Sequence, residues 1–285
     1  MRKTLVVLLA IIAFSTLTAC GSSKGAVTAG ESHPSGHGGG HGQGNTADKI
    51  GGDAEQDKLK ASFNFGDGGV NANQDTEVMI QITGEDGTPV KQFKENHEKL
   101  MHLIVVSQDL SFFNHIHPDY QGNGKFTVKT RFPAGGKFKV IADFIPAGGS
   151  NSTKSEWVQV KGQEAAPVEV KPDSNRIKQV GDKEIELKLS GTKAKEEVTL
   201  TFNIRDAATK KGISNLQPYL GAVGHVVILS RDAEQYLHVH PVDEKASGPD
   251  AKFATSFPQS GIYKIWGQFQ HEGKVFTVPF VVDVK

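Results

Sequence analysis

Cysteine is almost missing from this sequence: 285 residues contain one, Cys20. That excludes a disulfide within the chain and leaves no thiolate in the body of the protein to act as a nucleophile or soft metal ligand. Net charge is missing too, because 32 basic and 32 acidic residues cancel, which removes the electrostatic case for binding nucleic acid or an anionic membrane surface. Long apolar runs are absent apart from Leu5 to Phe14, which is short for a transmembrane helix. No long amphipathic helix pattern interrupts either half of the chain. No serine, cysteine or paired-carboxylate motif points to catalysis.

What is present is histidine in a repeated pattern. The segment from His102 to Pro118, HLIVVSQDLSFFNHIHP, recurs as HVVILSRDAEQYLHVHP from His225 to Pro241. The copies agree without a gap at His102/His225, Ser107/Ser230, Asp109/Asp232, His115/His238, His117/His240 and Pro118/Pro241. Each reads as a β-hairpin, an apolar β-branched run meeting a Ser-x-Asp break and then an alternating strand. A two-residue loop pairs His102 with His115 and a four-residue loop pairs it with His117. Either register gathers three imidazoles on one face, whereas a three-residue loop turns His102 to the far side. In the second copy Leu237 and Val239 alternate with His238 and His240, so the histidines point away from the core. The facing strand is apolar on both sides, which predicts a walled pocket rather than bare surface.

These spacings give two candidate metal sites, His102 with His115 and His117, and His225 with His238 and His240. Neutral imidazole binds Cu(II), Zn(II) and Ni(II), and three nitrogens leave a position for water or a fourth ligand. The competing reading is a hydrogen-bonded cluster that only stabilises the hairpins. The single cysteine excludes a blue-copper centre, which needs a thiolate beside two histidines. All-nitrogen ligation outside the cytoplasmic membrane, with the usual affinity order, puts Cu(II) first and Zn(II) second. Met101 is an auxiliary ligand candidate, although Gly224 takes its place in the second copy, and packing explains it equally well. His97 either folds over the first site or sits in a solvated loop. His271 reads as an exposed hairpin tip with no ligand role.

Taken in order, Met1-Arg2-Lys3, the apolar run and Leu17-Thr18-Ala19-Cys20 resemble the lipobox of bacterial lipoprotein signal peptides. The resemblance implies an acylated Cys20 as mature N-terminus and a lipid-anchored chain in the cell membrane, facing the periplasm or exterior, with residues 1–20 as the signal peptide. Residues 21–56 read as a disordered Gly/His-rich tether spanning on the order of 30 Å. Its His33, His37 and His41 form either a weak metal-collecting arm or a solvated linker. Residues 57–162 and 163–285 read as two β-sandwich repeats. Matching strands and the pair Phe132-Pro133/Phe257-Pro258 extend the similarity beyond the hairpins.

The lipobox, His-rich tether and duplicated β-domain with HIHP and HVHP look like the extracytoplasmic cupredoxin-like or immunoglobulin-like domains of bacterial metal-handling lipoproteins. The resemblance implies an all-β fold and metal sequestration or delivery, with a metal transporter or metalloenzyme as partner and no nucleic acid. Two other classes stay open. One is a structural or adhesive surface lipoprotein that binds a wall polymer or protein. The other is a metal-dependent enzyme with an open three-histidine site, which no recurring general base supports.

Overall fold

A computed structural model describes residues 58–237 and 239–285. Cys20, the tether with His33, His37 and His41, and His238 lie outside the described residues. Among the described residues there is no α-helix, and the chain forms two tandem β-sandwiches.

The first repeat contains β1 (Lys60–Asn64), β2 (Val70–Asn71), β3 (Asp75–Thr83), β4 (Phe93–Lys94), β5 (Met101–Ser107), β6 (Phe113–Ile116), β7 (Asp119–Gly122), β8 (Lys125–Arg131), β9 (Gly136–Pro146) and β10 (Ser152–Lys161). Its sheets run β1-β3-β8-β7 and β2-β10-β9-β5-β6. The second contains β11 (Ile177–Val180), β12 (Lys183–Leu189), β13 (Glu197–Asp206), β14 (His225–Ser230), β15 (Tyr236–Leu237), β16 (His240–Pro241), β17 (Asp250–Ser256), β18 (Gly261–His271) and β19 (Lys274–Val284). Its sheets run β11-β12-β13-β17-β16 and β15-β14-β18-β19. Both orders are those of an immunoglobulin-like sandwich, in which one sheet holds the first, second and fifth major strands and the other holds the third and the last two. The structure thus selects the immunoglobulin-like of the two expected sandwich types.

Strand β3 shows how the sequence builds a repeat. Its residues alternate between exposed and buried, with Val78, Ile80 and Ile82 inside, as a sheet with one wet face requires. Strands β5 and β14 behave differently, being buried along almost their whole length. Leu103 and Val105 enter the core of the first repeat, as Val226 and Ile228 enter that of the second. The other faces carry Ile104 and Val106, and Val227 and Leu229, which meet in a third apolar cluster between the repeats together with Ile141 and Trp266.

That interface has approximate two-fold character. Lys139 on β9 donates to Ala233 O at 2.8 Å, and its counterpart Lys264 on β18 donates to Leu110 O at 2.7 Å. Each repeat thus sends the same lysine to the same hairpin tip of the other, the reciprocity of an isologous dimer contact built into one chain. Phe113 stacks on Trp266 at 4.7 Å and 14°, while Tyr236, the counterpart of Phe113, donates to Asp143 Oδ2 at 2.9 Å.

Candidate metal centre

The first hairpin adopts the four-residue loop. Ser107 N donates to Phe112 O at 3.3 Å, and Leu103 pairs with Ile116, which sets His102 opposite His117 with His115 two positions along the same face. Asp109 holds the loop through Ser107 Oγ at 2.6 Å and Ser111 N at 3.0 Å, the backbone role expected of Asp in a tight turn. One nitrogen from each of His102, His115 and His117 lies within 4.8 Å of the others. The ring centroids are 5.1 Å apart for His102/His115, 5.0 Å for His102/His117 and 4.8 Å for His115/His117.

The hydrogen bonds orient these rings. His102 Nε2 lies 2.9 Å from the carbonyl oxygen of Asn96, and His115 Nδ1 lies 2.7 Å from Gln268 Oε1. Both partners are acceptors, so both outer nitrogens carry hydrogen. The Gln268 orientation is consistent with its amide nitrogen donating to Thr277 Oγ1 at 3.3 Å. The inner nitrogens, His102 Nδ1 and His115 Nε2, are 2.9 Å apart. They either share one proton and carry a positive charge, or lose it and aim two lone pairs at the same point. His117 Nε2 is buried and has no hydrogen-bond partner.

Burial keeps two of the three rings uncharged. Desolvation, followed by the neighbouring His102, brings the His115 pKa down to about 3. Desolvation, His102 and Lys99 bring that of His117 down to about 4. Both rings are therefore neutral at pH 7, the state a metal requires. This has a consequence for metal-free stability. In the unfolded chain these histidines protonate near pH 6.5, so between that value and the folded pKa the unfolded state binds more protons, and stability falls as pH falls. For His115 the slope approaches about 1.4 kcal/mol per pH unit, and His117 adds a smaller, solvent-screened amount. Urea unfolding of metal-free protein at pH 7.5, 6.5 and 5.5 checks this; a midpoint independent of pH would contradict it.

Three sequence expectations change. His225 and His240 of the second candidate triad stand on different sheets, and His238 lies outside the described residues. His225 lies on β14, but β15 ends at Leu237, and the chain crosses to the opposite sheet, where His240 pairs with Ala254. Val239 enters the core, and His240 after it is exposed. Met101 is no ligand, because its side chain is buried in the core of the first repeat, on the opposite face of β5 from His102. A side chain at Gly224, its counterpart, would place Cβ 2.5 Å from Phe269 Cδ1, which explains why the methionine is not repeated. His271 is buried, not exposed, with Nε2 3.1 Å from Asn215 Oδ1.

His225 joins the first site instead. It is 4% exposed, stacks on His102 at 5.3 Å and 13°, and lies 4.8 Å from the ring of His115. His97 folds over the same place rather than standing in solvent. It occupies the tight turn between Asn96 and Lys99 with φ of 48°, and its ring is 5.2 Å from His225. The backbone carbonyl of Asn96 and the side chain of Gln268 were not foreseen. A clue to Gln268 existed, because the alignment of Phe144 with Phe269 puts it opposite Asp143, the residue beside His102 in the sheet.

Comparison with known proteins gives a family but no activity. No curated protein matches. Among solved structures, the Escherichia coli adhesin FdeC is 15% identical with a TM-score of 0.27, the match covering 82% of this chain and 65% of that one. Invasin, a bacterial integrin-binding protein, is 14% identical with a TM-score of 0.23, covering 78% and 39%. A two-domain fibronectin type III segment of chicken tenascin is 10% identical with a TM-score of 0.23, covering 78% and 98%. This chain thus spans less than two thirds of the first two proteins, and scores this low carry nothing about function. The family match is of another kind, since it covers residues 54–162 and again 178–285. The chain belongs to the family described as a domain of unknown function, DUF8832, and carries that domain twice.

Proposed function

We propose that this protein is an extracytoplasmic, lipid-anchored metal-binding protein that holds one copper(II) or zinc ion through His102, His115 and His117, for sequestration or delivery. One observation carries the reading. Amide oxygens hold the outer nitrogens of His102 and His115 and leave the inner nitrogens 2.9 Å apart, beside the unpartnered Nε2 of His117. Carbonyl acceptors behind ligating imidazoles are the usual outer shell of a metal site, fixing tautomer and ring direction. Tetrahedral ligands at about 2.0–2.1 Å stand roughly 3.3 Å apart, so the rings need only small adjustments. An all-nitrogen set favours Cu(II) over Zn(II) by the usual affinity order.

Lipidation at Cys20 would tether the head to the membrane, and His33, His37 and His41 would pass metal to it from the tether. The partner on this reading is a metal transporter or metalloenzyme, and the role is binding rather than catalysis. The test is titration of protein carrying His33→Ser, His37→Ser and His41→Ser with zinc and with copper(II). One tightly held ion per chain is expected, released as pH falls through about 6.5. Two equal sites, or none, would contradict the assignment.

A second reading is favoured by a different aspect of the same bonds. Asn96, His102, His115 and Gln268 form a continuous chain across the interface without any ion, as suits a structural or adhesive surface lipoprotein whose histidines only join the repeats. On that reading, replacing His102, His115 and His117 changes stability, and the parent protein shows no metal affinity to lose.

A further inference from the structure

The three ligands belong to the first repeat, but what orients and covers them belongs to the second. We infer that the metal site is a joint property of both repeats: docking of the sandwiches completes the site, and a bound ion in turn fastens them together. This rests on the metal-binding reading above. The ligands stand on the face of β5 and β6 that points away from the core of their own repeat, continuing the face of Ile104 and Val106. Undocked, that face would meet water. In the docked form Gln268 of β18 accepts from His115 Nδ1 at 2.7 Å. This leaves His115 Nε2 with its lone pair toward His102. Gln268 is thus a positioning residue. His225 of β14 lies parallel to His102 at 5.3 Å and is itself buried.

Linkage follows from thermodynamics. An ion that binds the docked arrangement more tightly than the undocked one stabilises docking, and by reciprocity docking raises affinity for the ion; the observed affinity falls only as the docked fraction falls. The ligand class is a divalent cation that prefers neutral imidazole nitrogen, zinc or copper(II). The far end of the interface offers a remote handle. Lys139 reaches both Ala233 O and Glu234 Oε2 at 2.8 Å, and it pairs with Val106 on β5, whereas His102 pairs with Asp143 near the other end of the strand.

The experiment measures zinc affinity by chelator competition on the full chain with the three tether histidines replaced by serine, and hydrogen exchange with and without zinc. Gln268→Met is expected to weaken zinc by about 10–100-fold, the usual cost of losing an outer-shell partner. Gln268→Glu keeps an acceptor for His115 Nδ1–H and should hold the parent affinity or exceed it. Lys139→Met, distant from the ligands, should speed exchange at the interface, and saturating zinc should reverse part of that change. Zinc should also slow exchange at Ile104, Val106, Val227 and Leu229 in the unsubstituted interface, an arm that depends on no variant folding. Parent protein that binds zinc, with Gln268→Met binding equally well and interface exchange unchanged by zinc in the parent and in Lys139→Met, would overturn the inference and leave the three-histidine site standing. Parent protein that binds no zinc would overturn both.

Discussion

His115→Ala is expected to abolish the proposed tight zinc binding, lowering affinity by more than the about 10–100-fold that loss of an outer-shell partner costs, while His240→Ala is expected to change it by less than about twofold. Both residues sit in the same motif of their repeats, so sequence alone gives them equal weight. The fold separates them. His115 shares a face with His102 and His117, with a nitrogen within 4.8 Å of each, and a carbonyl on either side of the His102–His115 pair sets the proton positions. His240 is exposed on a strand of the other sheet. His115→Ala also leaves His102 Nδ1 and Gln268 Oε1 without their partner, and a buried polar group so stranded costs about 1–3 kcal/mol. The removed imidazole was itself costly to bury, which offsets part of that loss. Isothermal titration of the two variants, beside their thermal unfolding curves, separates lost ligation from lost folding. Equal affinity in both variants would mean that His115 is not a ligand.

Trp266→Ala costs about 3–5 kcal/mol of stability, the range for emptying a buried tryptophan site. Trp266 belongs to neither sandwich core. It is 3% exposed in the cluster between the repeats, its ring lies on Phe113 at 4.7 Å, and Lys264 Nζ stands 5.5 Å from the ring centroid on its way to Leu110 O. Such a loss is expected only if the interface is packed as closely as an interior. Loosely docked repeats would let the indole move into solvent at a cost below about 1 kcal/mol, as for surface substitutions. Urea unfolding measures the difference. A closely packed interface also predicts one cooperative transition for both repeats, since each presents its doubly apolar strand to the other.

Much of the fold was legible because alternation is legible. Strand β3 and its counterpart β13 show the in-and-out pattern of a half-buried sheet, and the second appearance of Phe-Pro ahead of a long strand marked the duplication. The first triad was legible up to loop length, and the four-residue loop is one of the two that gather the rings. The second triad misled because its residues matched while the path of the chain did not. Pairing of β15 stops after Leu237 and His240 pairs in the other sheet, and no identity between the copies records that. The unbroken apolar character of β14 said that both faces are covered, but not that the cover is the equivalent strand of the other repeat. The position of Gln268 could be aligned with Asp143, but its role could not be read, since a polar residue inside an apolar strand has a purpose only when its partner across the interface is known.

The central claim is that three particular nitrogens meet on one ion. Long-range proton–nitrogen NMR of the histidine rings, with diamagnetic zinc added to one equivalent, observes those nitrogens directly. The signals of His102 Nδ1, His115 Nε2 and His117 Nε2 are expected to shift to metal-bound positions, while His102 Nε2 and His115 Nδ1 keep their hydrogens. Zinc at saturation leaving those three signals where they stand in the metal-free protein would contradict it.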